Sequence, residues 1–374
     1  MILGVSAEQE ELRASVRRFL ADRAPMSRVR ELMDGGETDW AVWEQAGTQL
    51  GLQGLAIPES YGGAGFSFGE QAVVLEEFGA ALYGGPYLAS AVLAATALLA
   101  SPDEGARRGL LPDIASGQTV ATLAFAEDGG SWDPAAIRLS AVKDGPGVDG
   151  AWRLDGHKSF VLDGATAGLI LVAATTDAGL SLFAVEGDAD GLGRAALPAL
   201  DQTRQLARLE FAGVTGRLIG SPGDGAAALD RALDVAAVAL AAEQLGGAQR
   251  ALDMAVEYAK VRRQFDRPIG SFQAIKHRCA DLLLEVESLR SAVGYAAAAV
   301  AEDSAEIPVL ASLVKAYASE TYFHVAAENI QIHGGIGFTW EHDAHLYFKR
   351  AKASELFLGD GAYHRERLAN RIGL

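Results

Sequence analysis

Apolar positions along this chain keep two spacings, and the spacing changes twice. Up to residue 117 it is mostly helical. Leu12, Val16, Phe19 and Leu20 fall on one stripe, and Ser6 and Gln9 ahead of it have the spacing of a capping box. "YLASAVLAATALLA" (87–100) is apolar all round, which suits a buried core helix and falls short of the roughly 20 residues a membrane span needs. Between 118 and 220 the pattern turns into short alternating runs bounded by turn residues. "TVATLAFAE", "AIRLSAV", "WRLDGHKSFVL", "LILVAATT", "LSLFAVEG" and "ARLEFAGV" predict six strands of a sheet or barrel, with "KDGPGVDG" (143–150) as a hairpin loop. The helical period then returns in four long segments, near 225–263, 272–302, 307–333 and 343–370, which predict an antiparallel bundle. Pro308 suits the first turn of the third segment and "HGG" (333–335) its end. The fold class expected is α+β: an N-terminal helical domain over 1–117, a middle β-barrel domain over 118–220 and a C-terminal four-helix bundle over 221–374.

Charge narrows the choice of partners. Lys and Arg number 32 against 49 Asp and Glu, for a net charge of −17, so the chain lacks the basic surplus that neutralises nucleic-acid phosphates. Acidic residues interrupt the N-terminal stretch at once, unlike a signal peptide. The single cysteine, Cys279, excludes an intramolecular disulfide and a cysteine-rich zinc site, and fits a reducing cytoplasm.

Three motif readings fail on spacing. Gly62, Gly63, Gly65 and Gly69 lack the dinucleotide-loop order and the strand-turn-helix setting, and predict a tight turn. "EHDAH" (341–345) places His342 and His345 three apart with no third ligand, so no metal site is expected. No serine sits in a nucleophile elbow.

Five segments in order resemble the acyl-CoA dehydrogenase superfamily over essentially the whole chain. They are "PESYGGAG" with "VVLEEFG", "FAEDGGSWDP", "LDGHKSFVLDGA", "YAKVRRQFDRPIGSFQAIKHRCADL" (258–282) and "QIHGGIGFTWEHD". The resemblance implies FAD, an acyl-CoA thioester substrate and oxidation between its α and β carbons. It also implies site positions. Arg262, with Gln264 and Phe265, matches residues that meet the FAD of a neighbouring subunit, and Gln331, Gly334 and Gly335 match a second contact to the same cofactor. Phe125, Ala126, Ser131, Phe160 and Leu162 match the flavin side of the middle domain, and Asp234 matches a substrate-side aspartate.

Departures from the pattern fall on the chemistry. The α-proton needs a base within hydrogen-bond reach, yet the usual base position reads Leu358 and the alternative one Ala236. Leu162 replaces the threonine expected at flavin N5, and Ala237 replaces the arginine that would accompany Asp234. Glu355, Asp360 and Glu243 are the carboxylates that could substitute. On a continuous helix Glu355 would share a face with position 358, and Asp360 would point about 200° away. The chain therefore resembles the base-lacking subunit of a heteromeric acyl-CoA dehydrogenase, which would pair with a homologous, base-bearing subunit. The alternatives are a self-sufficient homo-oligomer with a substitute base and an oxygen-using flavoenzyme on the same fold.

Overall fold

The computed structural model describes residues 6–35, 38–144 and 151–374. The hairpin loop expected at 143–150 lies, from residue 145 on, outside the described residues. Contacts divide the chain into two units. One takes the residues up to Glu31, Phe68–Tyr83 and Ala237–Leu374; the other takes Leu32–Ser67 and Gly84–Ala236.

The first unit is built from helices. Helix α1 (Ala7–Arg23) starts at the capping box read from the sequence. Ser6 Oγ accepts from the Gln9 N–H at 3.2 Å, and Gln9 Oε1 accepts from the Ser6 N–H at 3.1 Å. The stripe after it is inward: Val16, Phe19 and Leu20 are buried and Leu12 half-buried. Helix α2 (Met26–Gly35) follows, with its residues from Leu32 on counted in the other unit together with helix α3 (Trp40–Leu50), and the chain returns through α4 (Phe68–Ala80). Helix α4 meets the long helix α7 (Gly225–Val261) backbone to backbone at two glycines. A Cβ on Gly79 would sit 1.9 Å from the Glu243 carbonyl oxygen, and one on Gly246 1.7 Å from that of Glu76. Any side chain at either position would force the two helices apart.

In the second unit the apolar run at 87–100 is buried as expected, but its first turns, Leu88–Ala94, are π-helical before α5 (Ala95–Ala100) and α6 (Glu104–Ala115). Ser90 Oγ accepts from the Ala121 N–H at 3.0 Å and ties this run to the sheet. The turn around Gly63 is as tight as its composition predicts, since a Cβ there would fall 1.9 Å from the Ile57 carbonyl oxygen.

Seven strands form the sheet: β1 (Ala121–Ala124), β2 (Ser140–Lys143), β3 (Ala151–Leu162), β4 (Leu169–Thr176), β5 (Gly179–Glu186), β6 (Leu192–Leu197) and β7 (Leu206–Ile219). The order β1-β4-β2-β3-β7-β5, with β5 also paired to β4, closes a barrel. Six strands agree with the sequence reading. The seventh, β6, pairs along β7 but exposes or half-exposes every residue of "LGRAAL", so it lacks the apolar alternation that marks the others.

Back in the first unit, α7 ends in a two-residue-loop hairpin, β8 (Arg263–Gln264) and β9 (Arg267–Pro268), before α8 (Gln273–Ala301) and α9 (Ile307–His333). Pro308 lies in the first turn of α9 and Gly334 caps its end, as expected. The fourth long helix is corrected: it is two helices, α10 (Ala344–Leu356) and α11 (Gly361–Ile372), parted by a loop over 357–360. The sequence "LGDG" breaks it, because Gly359 adopts φ +103° and Asp360 accepts from the Tyr363 N–H at 2.8 Å as the N-cap of α11. Helix α9 packs against α8, α10 and α11. No helix of the described residues is long and apolar enough to cross a membrane.

Candidate functional site

Three groups of residues singled out by sequence are held locally in this fold. The first lies in the barrel unit. Loop 125–131 follows β1 and lies against β3, where the Ser159 N–H donates to the Ala126 carbonyl at 2.9 Å. The β3–β7 register shifts between Lys158 and Val161, and Phe160 takes φ +57° within that irregularity. A bulky residue in the left-handed region is strained and needs its surroundings to hold it. Phe125, Trp132 and Phe160 form an aromatic row, with centroids 5.9 and 6.2 Å apart. Leu162 is buried, its carbonyl accepting from Thr122 Oγ1 at 2.6 Å, whereas Ser131 is exposed.

The group beneath this row was not singled out from sequence. Lys158 is fully buried and donates to the Phe125 carbonyl and to Glu127 Oε1, both at 2.9 Å. Burial lowers its pKa to about 8, and the Glu127 carboxylate limits the drop. Glu127 also accepts from the N–H groups of Arg138 and Leu139 at 2.9 and 2.8 Å. Burial pushes its pKa up, but Lys158 and these two donors outweigh that and leave it below the usual carboxylate value. Lys158 and Glu127 thus fix loop 125–131 to β3. Asp128 is held at a pKa of about 2 chiefly by Arg208 and by Ser159 Oγ. The available signal was a lysine among the inward positions of an alternating strand.

The second group lies where α7 and α9 end. Tyr258 stacks on His333 with centroids 4.2 Å apart, so the end of α7 adjoins the Gly334–Gly335 turn. Four residues beyond Tyr258, Arg262 is exposed, and its guanidinium has no partner among the described residues. Phe265 and Asp266 form the hairpin loop at φ +50° and +62°, and Phe265 is 87% exposed. Gln264 and Gln331 are also exposed. Gly334 takes φ +64°, ψ −144°, a conformation reserved for glycine, and a Cβ on Gly334 or Gly335 would meet no atom of this chain. An unpaired guanidinium beside glycines with open space suits an anionic dinucleotide, since the planar fork matches phosphate oxygens and bare backbone permits close approach.

The third group is the α10–α11 loop. Leu358 is not on a helix, which removes the helical geometry expected for Glu355 and Asp360. It is buried, at φ +63°. Its carbonyl accepts from His364 Nε2 at 3.0 Å. Lys315, fully buried on α9, donates to the Gly359 carbonyl at 2.9 Å, the Glu355 carbonyl at 3.1 Å and Ser319 Oγ at 2.9 Å. The three carboxylates considered as substitute bases have other engagements. Glu355 pairs with Lys352 at 3.0 Å, buried Glu243 pairs with Arg350 at 2.7 Å, and Asp360 caps α11. On α7, Asp234, Ala236 and Ala237 are all buried. In "EHDAH", Asp343 pairs with Arg30 at 2.7 Å and His345 Nε2 lies 3.2 Å from the Trp340 carbonyl. Among the described residues no three His, Cys, Asp or Glu side chains are grouped to hold a metal ion.

Comparison with known proteins identifies the family. The acyl-CoA dehydrogenase N-terminal domain profile matches residues 6–118, and the C-terminal domain profile matches 223–373. The acyl-CoA dehydrogenase IpdE2 of Mycobacterium tuberculosis is 36% identical over 94% of this chain and 93% of its own length. Among solved structures, a variant of the Tcur3481-Tcur3483 steroid ACAD is 34% identical with a TM-score of 0.89, over 99% of both chains. The ChsE4-ChsE5 complex from Mycobacterium tuberculosis is 31% identical with a TM-score of 0.90, over 100% of this chain and 99% of that one. The chain belongs to the acyl-CoA dehydrogenase family.

Proposed function

We propose that this chain is the base-lacking subunit of a two-protein acyl-CoA dehydrogenase, working in the cytoplasm and helping to hold FAD for a homologous, base-bearing partner. The contrast between Leu358 and Arg262 carries this reading. At position 358 a buried leucine can accept no proton, and Glu355, Glu243 and Asp360 are engaged elsewhere. Losing a positioned base forfeits about 10²–10⁴ in rate. At position 262 a guanidinium stands in solvent with no partner among the described residues, beside the Gly334–Gly335 turn that is open to approach.

Bound FAD would supply the hydride acceptor for oxidation of an acyl-CoA thioester between its α and β carbons. Arg262 would neutralise the pyrophosphate, Gly334 and Gly335 would let backbone N–H groups approach it, and Gln264, Phe265 and Gln331 would complete the clamp. Phe338, three residues beyond Gly335, is 77% exposed, and together with Phe265, 87% exposed, it gives the clamp region apolar surface that supports a protein partner. Two of the similar solved structures are of proteins named as pairs, ChsE4-ChsE5 and Tcur3481-Tcur3483.

Arg262→Ala tests the clamp. Co-purified with the partner, the variant complex should retain at least about tenfold less FAD after gel filtration. Unchanged flavin content would contradict the role.

A further inference from the structure

A cavity of about 470 Å³ opens within the helical unit, where α1, α4, α7 and α10 converge. None of the residues proposed above for nucleotide or thioester contact lines it, and it does not depend on that reading. Its floor is apolar, from Leu20, Ala24, Ala80 and Met254, and its volume suits a small ligand.

Most charges at its rim are already matched. Glu77 is held by Arg13 at 3.1 Å and Arg17 at 2.8 Å, Glu76 by Arg13 at 2.9 Å and Arg290 at 2.7 Å, and Asp343 by Arg30 at 2.7 Å. Two are not. Arg250 and Asp253, one turn apart on α7, meet no opposite charge within ion-pair distance among the described residues. They could pair with each other as an i,i+3 couple, but each is drawn to a neutral neighbour instead. Asp253 accepts from Gln249 Nε2 at 2.8 Å, and Arg250 lies beside the Tyr347 hydroxyl. That hydroxyl is itself fixed by donating to the Ala80 carbonyl at 2.7 Å.

Among the described residues, one cation and one anion without an opposite charge then stand over an apolar floor, and they discriminate between ligand classes. A simple anion would gain Arg250 but face Asp253, and a simple cation would meet the reverse. A neutral apolar molecule would leave both charges unmatched. We propose that this pocket binds a small amino-carboxylate zwitterion with an apolar body, its carboxylate toward Arg250, its ammonium toward Asp253 and its side chain on the Leu20–Met254 floor.

The test is calorimetric titration of L-leucine into the full chain, alongside Arg250→Gln and Asp253→Asn. Arg250 is exposed and Asp253 only half-buried, so both variants should fold like the wild type. Leucine should bind saturably to the wild type and about tenfold more weakly to each variant, the loss of one charge-assisted contact. Leucinamide, which lacks the carboxylate, and 4-methylpentanoate, which lacks the ammonium, should each bind the wild type about tenfold more weakly than leucine. Absence of saturable binding, a loss in only one variant, or equal affinity for the three probes would overturn the proposal.

Discussion

Lys315 and His364 hold neighbouring carbonyls of one short loop: Lys315 Nζ lies 2.9 Å from the Gly359 oxygen, and His364 Nε2 lies 3.0 Å from the Leu358 oxygen. Leu358 keeps its left-handed, buried backbone between these two donors. Lys315→Met removes the donor to the Glu355 and Gly359 carbonyls and leaves the buried Gly359 oxygen and the part-buried Glu355 oxygen without it. Denaturant unfolding should show a loss of about 2–4 kcal/mol. A change below about 0.5 kcal/mol would mean that the loop is held by other contacts.

His364 gives that loop a pH dependence with a definite sign. Burial, helped by the nearby Lys315 cation, lowers its pKa from 6.5 to about 3. The folded chain keeps it neutral while the unfolded chain protonates it near pH 6.5. Its contribution to stability is therefore complete above pH 6.5 and is lost as pH falls from there toward 3. His364→Gln keeps a donor for the Leu358 carbonyl and removes the titration. Between pH 6 and 4 the variant should lose less stability than the wild type, by up to about 1.4 kcal/mol per pH unit. Parallel stability curves would show that His364 does not stay neutral in the fold.

Phe265 separates stability from cofactor retention. It is exposed and held at φ +50°, where glycine has no steric penalty. Phe265→Gly should stabilise the isolated chain by about 0.5–1 kcal/mol, the relief of left-handed strain less the unfolded-state entropy that glycine adds. In complex with the partner, the same variant should release FAD faster. If both stability and flavin retention rise, Phe265 is not part of the clamp.

What the sequence made legible follows from how local each signal is. The Ser6–Gln9 box, the Val16–Leu20 stripe and six of the strands are patterns over a few residues, and the structure realises them. Strand β6 escaped because it is nowhere buried, so no alternation was imposed on it. The break after Leu356 was signalled by Gly359 and by Asp360 at a cap position, but the helical period on either side spoke more strongly. Phe265 gave no sign of a left-handed turn, because the two-residue loop between β8 and β9, rather than the residue's own propensity, imposes positive φ on it and on Asp266. Lys315 could have been found: it falls on the same helical face as Ala311, Ser319 and Tyr322, so a lysine there must be buried with acceptors.

The central claim is that this chain lacks a working base and completes a site on another protein. The most direct measurement is the visible absorbance spectrum of the chain expressed alone, repeated after anaerobic addition of an acyl-CoA and again after adding the homologous base-bearing partner. A base-lacking subunit should carry little flavin alone, or flavin that stays oxidised with acyl-CoA and bleaches only once the partner is present. A full flavin complement that acyl-CoA bleaches in the isolated chain would contradict the claim and establish a self-sufficient dehydrogenase.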